Sequence, residues 1–139
     1  MFQFTTIYYR VDEEEKLESF FSHTHLPLAE QLPSLVKSEV SRIAGKPGGE
    51  SRFHLSYSLY FSTEASFQLS LVSEEGIKLV QALKPWVDAG LIIWYYADTF
   101  EEVVKRAGPE VTVEDLLPKT EDVSGQGNHS LSADDAAGI

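Results

Sequence analysis

The chain contains no cysteine. Disulfides, thiol nucleophiles and cysteine-based zinc sites are therefore excluded, and a reducing compartment is compatible with that composition. Basic residues are scarce. Eleven Lys and Arg stand against twenty-two Asp and Glu, for a formal charge of -11 over 139 residues. Phosphate binding requires clustered Lys and Arg, so no nucleic-acid partner is expected. No apolar run approaches the ~18–20 residues needed to span a bilayer, so no membrane association is expected. The first residues, Met1-Phe2-Gln3-Phe4-Thr5-Thr6, offer neither a basic nor an extended apolar leader region. The expectation is a soluble, cytoplasmic protein without a secretory signal. Several chemical signatures are also missing. Gly45-Lys46-Pro47-Gly48-Gly49 lacks the phosphate-loop pattern and reads as a turn. There is no G-x-S-x-G nucleophile elbow, no dinucleotide fingerprint after the first strand, and nothing that fits a haem or flavin motif. No cofactor is expected.

What is present is an ordinary globular composition, 42% apolar and 24% charged, at a length that suits one domain with a real core. The charge is uneven. From Asp98 onward there are ten acidic and three basic residues, a net of -7, leaving -4 for the first 97. Core and tail are different kinds of polymer.

Phe2 to Tyr9, rich in aromatic and β-branched residues, reads as a strand that is apolar on both faces. Asp12 is placed to cap a helix whose first turn holds Glu13 to Glu15. Leu17, Phe20 and Phe21 repeat at i, i+3, i+4 along it. A break is expected around Thr24 to Pro27, with the helix resuming to Leu32. Leu35 to Ala44 reads as a second strand. Arg52 to Phe61 alternates Phe53, Leu55, Tyr57, Leu59 and Phe61 with small polar residues, the clearest strand of all. Thr63 caps a helical region to about Leu83, restarting near Ser73-Glu74-Glu75 and stopped by Pro85. Leu91 to Ala97 is a fourth strand. The order β-α-β-β-α-β specifies an α+β, ferredoxin-like fold with a four-stranded antiparallel sheet and both helices on one face. The strands are apolar on both sides, so a second copy of the chain, sheet on sheet, is the simplest cover for the bare face. The layout is then a domain over residues 1–97, a short helical extension over 98–118 that includes Thr99 to Ala107, and an acidic, disordered tail over 119–139.

The most informative segment is His25-Leu26-Pro27-Leu28-Ala29. Proline lacks an amide donor and pushes the residue before it out of helical space, so Leu26 is expected to leave the helix and Pro27 to start a new one. His25 then precedes a helix N-terminus, whose dipole disfavours the imidazolium. A neutral imidazole near neutral pH can take or give a proton. The alternative is a histidine that only caps or braces the kink.

With that segment, Leu32-Pro33-Ser34-Leu35, Val40-Ser41-Arg42, Gly45-Lys46-Pro47-Gly48-Gly49-Glu50, Leu59-Tyr60-Phe61 and Ser73-Glu74-Glu75-Gly76, the chain resembles the EthD family, named for a protein of ethyl tert-butyl ether degradation, over roughly residues 2–97. The resemblance implies a dimeric α/β barrel with a pocket between helices and sheet in each subunit. It also implies the chemistry of small monooxygenases, muconolactone-type isomerases, and dehydratases or decarboxylases that act on aromatic polyketides. His25 matches the family-type histidine, a general acid/base or an orienting donor.

The expected function is therefore an EthD-like homodimer binding a small aromatic or alicyclic metabolite, with cofactor-free isomerase, dehydratase or monooxygenase-type chemistry. The alternative is a non-catalytic module that binds a small ligand or recruits a partner. Tyr8, Tyr57 and Tyr95 on strands are candidate ligand-binding residues, with core packing as the plainer role. Arg42 is a candidate for holding an anionic or carbonyl oxygen, with a surface ion pair as its plainer role. His23, two residues before His25, points away from it on a helix, so no metal site is expected. His54 is expected on the small polar side of its strand.

Overall fold

In the structure, a computed structural model, residues 1–104 and 110–118 are described. The chain divides into two compact units, Met1–Phe100 and a second beginning at Glu101. The first unit follows the expected order. Strand β1 (Phe2–Tyr9) leads into helix α1 (Glu14–Phe20), a π-helical turn (Phe21–His25) and helix α2 (Leu26–Ala29). Strands β2 (Lys37–Arg42) and β3 (Phe53–Phe61), helices α3 (Glu64–Leu71) and α4 (Glu74–Asp88), and strand β4 (Ile92–Asp98) complete it. The sheet is antiparallel, in the order β2-β3-β1-β4.

Register explains the two faces. Phe2, Phe4 and Tyr8 stand beside Phe61, Leu59 and Leu55, and Thr6 stands beside Tyr57. These side chains are buried. Phe67 of α3 packs on Phe2, Phe4 and Phe61, which marks this as the helix-covered face. Thr5, Ile7, Ser56, Ser58, Ile93 and Tyr95 occupy the other.

The helical crossovers depart from expectation in instructive ways. The chain does not leave helical space before Pro27: Leu26 keeps φ -61° and ψ -50°. Proline's ring would press on the carbonyl four residues back, that of His23. The helix widens instead of breaking, and the amide of Leu26 reaches back five residues to the carbonyl of Phe21. Hence His25 sits inside a continuous helical path, not at a fresh N-terminus. Asp12 does not cap α1 either. Glu13 takes the cap position without a side-chain bond.

The second crossover has its expected break. Thr63 accepts from the amide of Ser66, and Ser73 accepts from the amide of Gly76. Pro85, expected to stop the helix, lies within α4. The actual stop is Gly90, at φ +77°. Its amide bonds to the carbonyl of Val87, and the amide of Leu91 bonds to that of Trp86. This is the left-handed closure that glycine permits most readily. The loop Lys46-Pro47-Gly48-Gly49 is a tight turn closed by reciprocal backbone bonds of 2.9 and 3.0 Å, with Gly48 at φ +93°. That placement of Pro and Gly suits a type II turn.

In the second unit, helix α5 (Val113–Leu116) is one turn long, and the Asp115 carboxylate accepts from the amide of Thr112 at 2.9 Å. The helix expected over Thr99 to Ala107 is absent from its described part, since Thr99 to Val104 are irregular. A stretch this short is marginal without a packed face. The remainder of that stretch, and the disorder expected for 119–139, lie outside the described residues.

Candidate active site

Three of the residues singled out in sequence converge. Tyr8 on β1, His25 in the π turn and Tyr57 on β3 are each 0% exposed. The Tyr8 hydroxyl lies 2.5 Å from Nδ1 of His25. The His25 and Tyr57 rings meet edge-on with centroids 5.0 Å apart, and Phe21 packs edge-on against Tyr8, His25 and Tyr57. The wide turn is what turns His25 inward, with Leu26 and Leu28 packed beside it against the core.

Two buried polar atoms in this cluster have no hydrogen-bond partner, Nε2 of His25 and the hydroxyl of Tyr57. Counting unmet groups selects a tautomer. If Tyr8 donates to Nδ1, the imidazole proton sits on Nε2, and that N–H is the one unmet group of the pair. If Nδ1 donates to Tyr8 instead, both the Tyr8 proton and the Nε2 lone pair go unmet. Each unmet buried group costs about 1–3 kcal/mol, so the first arrangement is favoured. Nε2–H is then a free donor.

Burial sets the charge states. It lowers the His25 pKa from 6.5 to about 3, with no other group contributing. The imidazole is therefore kept neutral by desolvation, not by a helix dipole. Burial also raises Tyr8, with smaller contributions from Tyr57 and Glu18. It raises Tyr57 to about 12, while nearby Ser38, outside proper hydrogen-bonding geometry, partly offsets the shift. All three groups are uncharged at neutral pH.

Arg42 and Tyr95 are not part of this cluster. Arg42 forms a two-pronged pair with Glu18, at 3.1 Å from Nε and 2.8 Å from Nη2. This is the plainer role weighed for it. Tyr95 is 43% exposed and pairs with Thr5 on the face away from the helices. His23 is exposed, with Nδ1 donating to the Ser19 carbonyl at 3.0 Å. Among the described residues, no group of three or more His, Asp and Glu is arranged to hold a metal ion.

His54 differs from its expected position. The register between β1 and β3 shifts at Tyr8/Tyr9, so that Leu55 pairs with Tyr8, Phe53 with Tyr9, and His54 is the extra residue. Such a bulge re-aims a side chain. His54 Nε2 reaches Glu18 of α1 at 2.7 Å rather than lying on the small polar face. Hydrogen bonding from Arg42, reinforced by that from His54, lowers the Glu18 pKa to about 2, against the opposing effect of burial. This ion cluster fastens α1 to the sheet beside the aromatic site.

Two further aromatic residues flank the Tyr8 side of this cluster. Phe20 and Trp86 are half-buried and stack at 4.4 Å and 22°. Both also touch the Tyr8 ring, at 6.5 and 5.9 Å. Trp86 is the residue that sequence reasoning missed. Taking Pro85 as a stop removes it from the pattern, although Leu79, Leu83 and Trp86 continue the i, i+4, i+7 stripe.

No protein-family model and no curated protein matches the chain. Solved structures do. A structure of an EthD family protein from Bacillus halodurans aligns at TM-score 0.67 and 24% identity, covering 72% of this chain and 99% of its own. A DABB family protein with a ferredoxin-like fold from Mesorhizobium loti aligns at TM-score 0.52 and 12% identity, covering 72% and 98%. SnoaB, a cofactor-independent oxygenase from Streptomyces nogalater, aligns in a mutant form at TM-score 0.51 and 14% identity, covering 76% and 97%. In fold, the chain is thus a ferredoxin-like α+β protein, similar to a solved member of the EthD family.

Proposed function

We propose that the chain is a homodimeric, cytoplasmic EthD-like protein that binds an uncharged aromatic or alicyclic metabolite between its helices and sheet. The EthD-like domain spans residues 1–97, with 98–118 and 119–139 as appendages that take no part in the chemistry. His25 assists a cofactor-free isomerisation, dehydration or oxygenation. The observation that carries this reading is the Tyr8–His25 hydrogen bond, which leaves Nε2 of a fully buried imidazole without a partner.

The electrostatics favour one mode of assistance. An imidazolium is strongly opposed by burial, so His25 acts as a neutral donor. Nε2–H polarises a ligand carbonyl or oxygen while Tyr8, bonded to Nδ1, fixes the tautomer. The Tyr57 hydroxyl supplies a second polar contact. Tyr8, His25 and Tyr57 are all held uncharged by burial, so a charged ligand would find no opposite charge among them. Tyr95 and Arg42 serve the open face and the α1 anchor instead.

The competing reading is a non-catalytic module in which Tyr8, Phe21 and Tyr57 simply fill the space around a bracing histidine. Its support is the complete burial of His25. Screening uncharged cyclic ketones and phenols for turnover, with His25→Ala beside the native protein, separates the two. The catalytic reading expects turnover to fall by roughly 10²-fold or more with the fold intact by circular dichroism. Unchanged turnover in the variant makes the histidine a brace.

A further inference from the structure

We propose that Phe20 and Trp86 form the gate of the His25 site, and that the chain is built to part them. The inference deepens the reading above and rests on it for the gate's purpose, but not for its existence. His25 and Tyr8 are sealed from solvent in the closed form. The stacked Phe20–Trp86 pair is the half-buried layer over the Tyr8 ring. A ligand can meet Nε2 only after some part of this shell moves.

Both gate residues sit beside a backbone defect. Phe20 is the last residue of α1, and the π turn begins at the next position. Such turns carry an irregular bond pattern and occur frequently at functional sites. Trp86 directly follows Pro85, the one proline inside α4. Proline offers no amide hydrogen, so the carbonyl of Gln81 loses its partner four residues on. The end of α4, from Trp86 to Asp88, is thereby weakly coupled to the helix before it and closed by the Gly90 turn that follows. One stacked pair bridges two weakened helix segments. Parting it uncovers the Tyr8 ring, and through it the hydrogen-bonded imidazole, while Leu79 and Leu83 can stay fully buried. Parting also restores solvent to His25, which removes the desolvation that holds its pKa near 3.

The test needs no substrate. Carbethoxylation by diethyl pyrocarbonate, followed by peptide mass spectrometry on the full chain, reports how accessible each imidazole is. His23, exposed and two residues away, is the internal reference. In the native protein His25 should react far more slowly than His23. Trp86→Ala should raise the His25 rate by about tenfold, the change that loss of a stacked aromatic pair and its apolar cover is worth, and leave His23 unchanged. Trp86→Phe, which preserves stacking, should stay close to native.

Leu79→Ala guards against general loosening. It removes core packing away from the gate and should lower global stability without matching that acceleration. The proposal is overturned if Trp86→Ala leaves His25 as slow as in the native protein, if Leu79→Ala accelerates it equally, or if native His25 already reacts as fast as His23. Unchanged turnover in His25→Ala would sink the enzymatic reading without bearing on the rates measured in the native, Trp86 and Leu79 chains.

Discussion

A histidine held neutral by burial alone is a pH-dependent liability. The folded His25 has a pKa near 3 and the unfolded one an ordinary value of 6.5. Below pH 6.5 the unfolded chain binds a proton that the native chain refuses. This contribution to stability is complete above pH 6.5 and is lost as pH falls toward 3. The slope tends to about 1.4 kcal/mol per pH unit for one proton. Urea melts of His25→Gln between pH 7 and 4 should therefore fall less steeply with acid than those of the native chain. Parallel curves would show that the imidazole is solvated in the folded state. Glu18 acts in a lower window. Its folded pKa near 2 lies below the ordinary 4.5, so its stabilisation is lost only below pH 4.5, which leaves the interval from pH 6.5 to 4.5 to His25.

At the scale of elements, the α3–α4 corner turns on one residue. A Cβ on Gly76 would collide with the Ser70 carbonyl oxygen and lie 2.5 Å from that of Leu71. Backbone cannot yield cheaply at such distances, so Gly76→Ala should cost on the order of 1–3 kcal/mol despite alanine's better helix propensity. Thermal unfolding would reveal it, and a stabilised variant would mean that the corner relaxes freely. This corner was legible in the sequence because Ser73 is a cap residue followed by acids. The strands were legible because alternation in β3 and the aromatic richness of β1 have few other readings. What was not legible are the places where one residue departs from its period. Pro27 and Pro85 both read as breaks, yet tertiary packing keeps each within a helical path. His54 could not be assigned its partner because a bulge leaves the surrounding alternation intact. The Tyr8–His25 contact joins residues 17 positions apart. No local pattern encodes it, so the sequence nominated both residues without pairing them.

At the scale of the whole first unit, its helices cover one face of the sheet. The other carries exposed Tyr95 and half-buried Ile93 beside the buried Ile7 and the hydroxyl pair of Thr5 and Ser58, 2.8 Å apart. A face of mixed apolar and small polar groups can pack against its own copy about a twofold axis. Light scattering on the native protein should give twice the 15.5 kDa chain mass. Ile93→Asp, which places a charge in the middle of that face, should give monomers at micromolar concentration. A native monomer, or a variant that still dimerises, would move the interface elsewhere. Among the described residues no helix is long and apolar enough to cross a membrane.

The π turn and the β3 bulge are the same device in two kinds of secondary structure. Each is one surplus residue absorbed without changing what lies on either side. Each also sits where a histidine is turned toward the helix–sheet layer, His25 to Tyr8 and His54 to Glu18. Single-residue deletions are ordinarily ruinous within strands and helices because they reverse or rotate every side chain that follows. Here, removing one residue from the bulge, or from the turn with Pro27 also replaced, would restore a regular ladder and leave a plainer, more uniform scaffold. The irregularities are thus detachable from the fold, and a lineage could gain or lose either histidine's placement by one or two local changes without having to invent a new core.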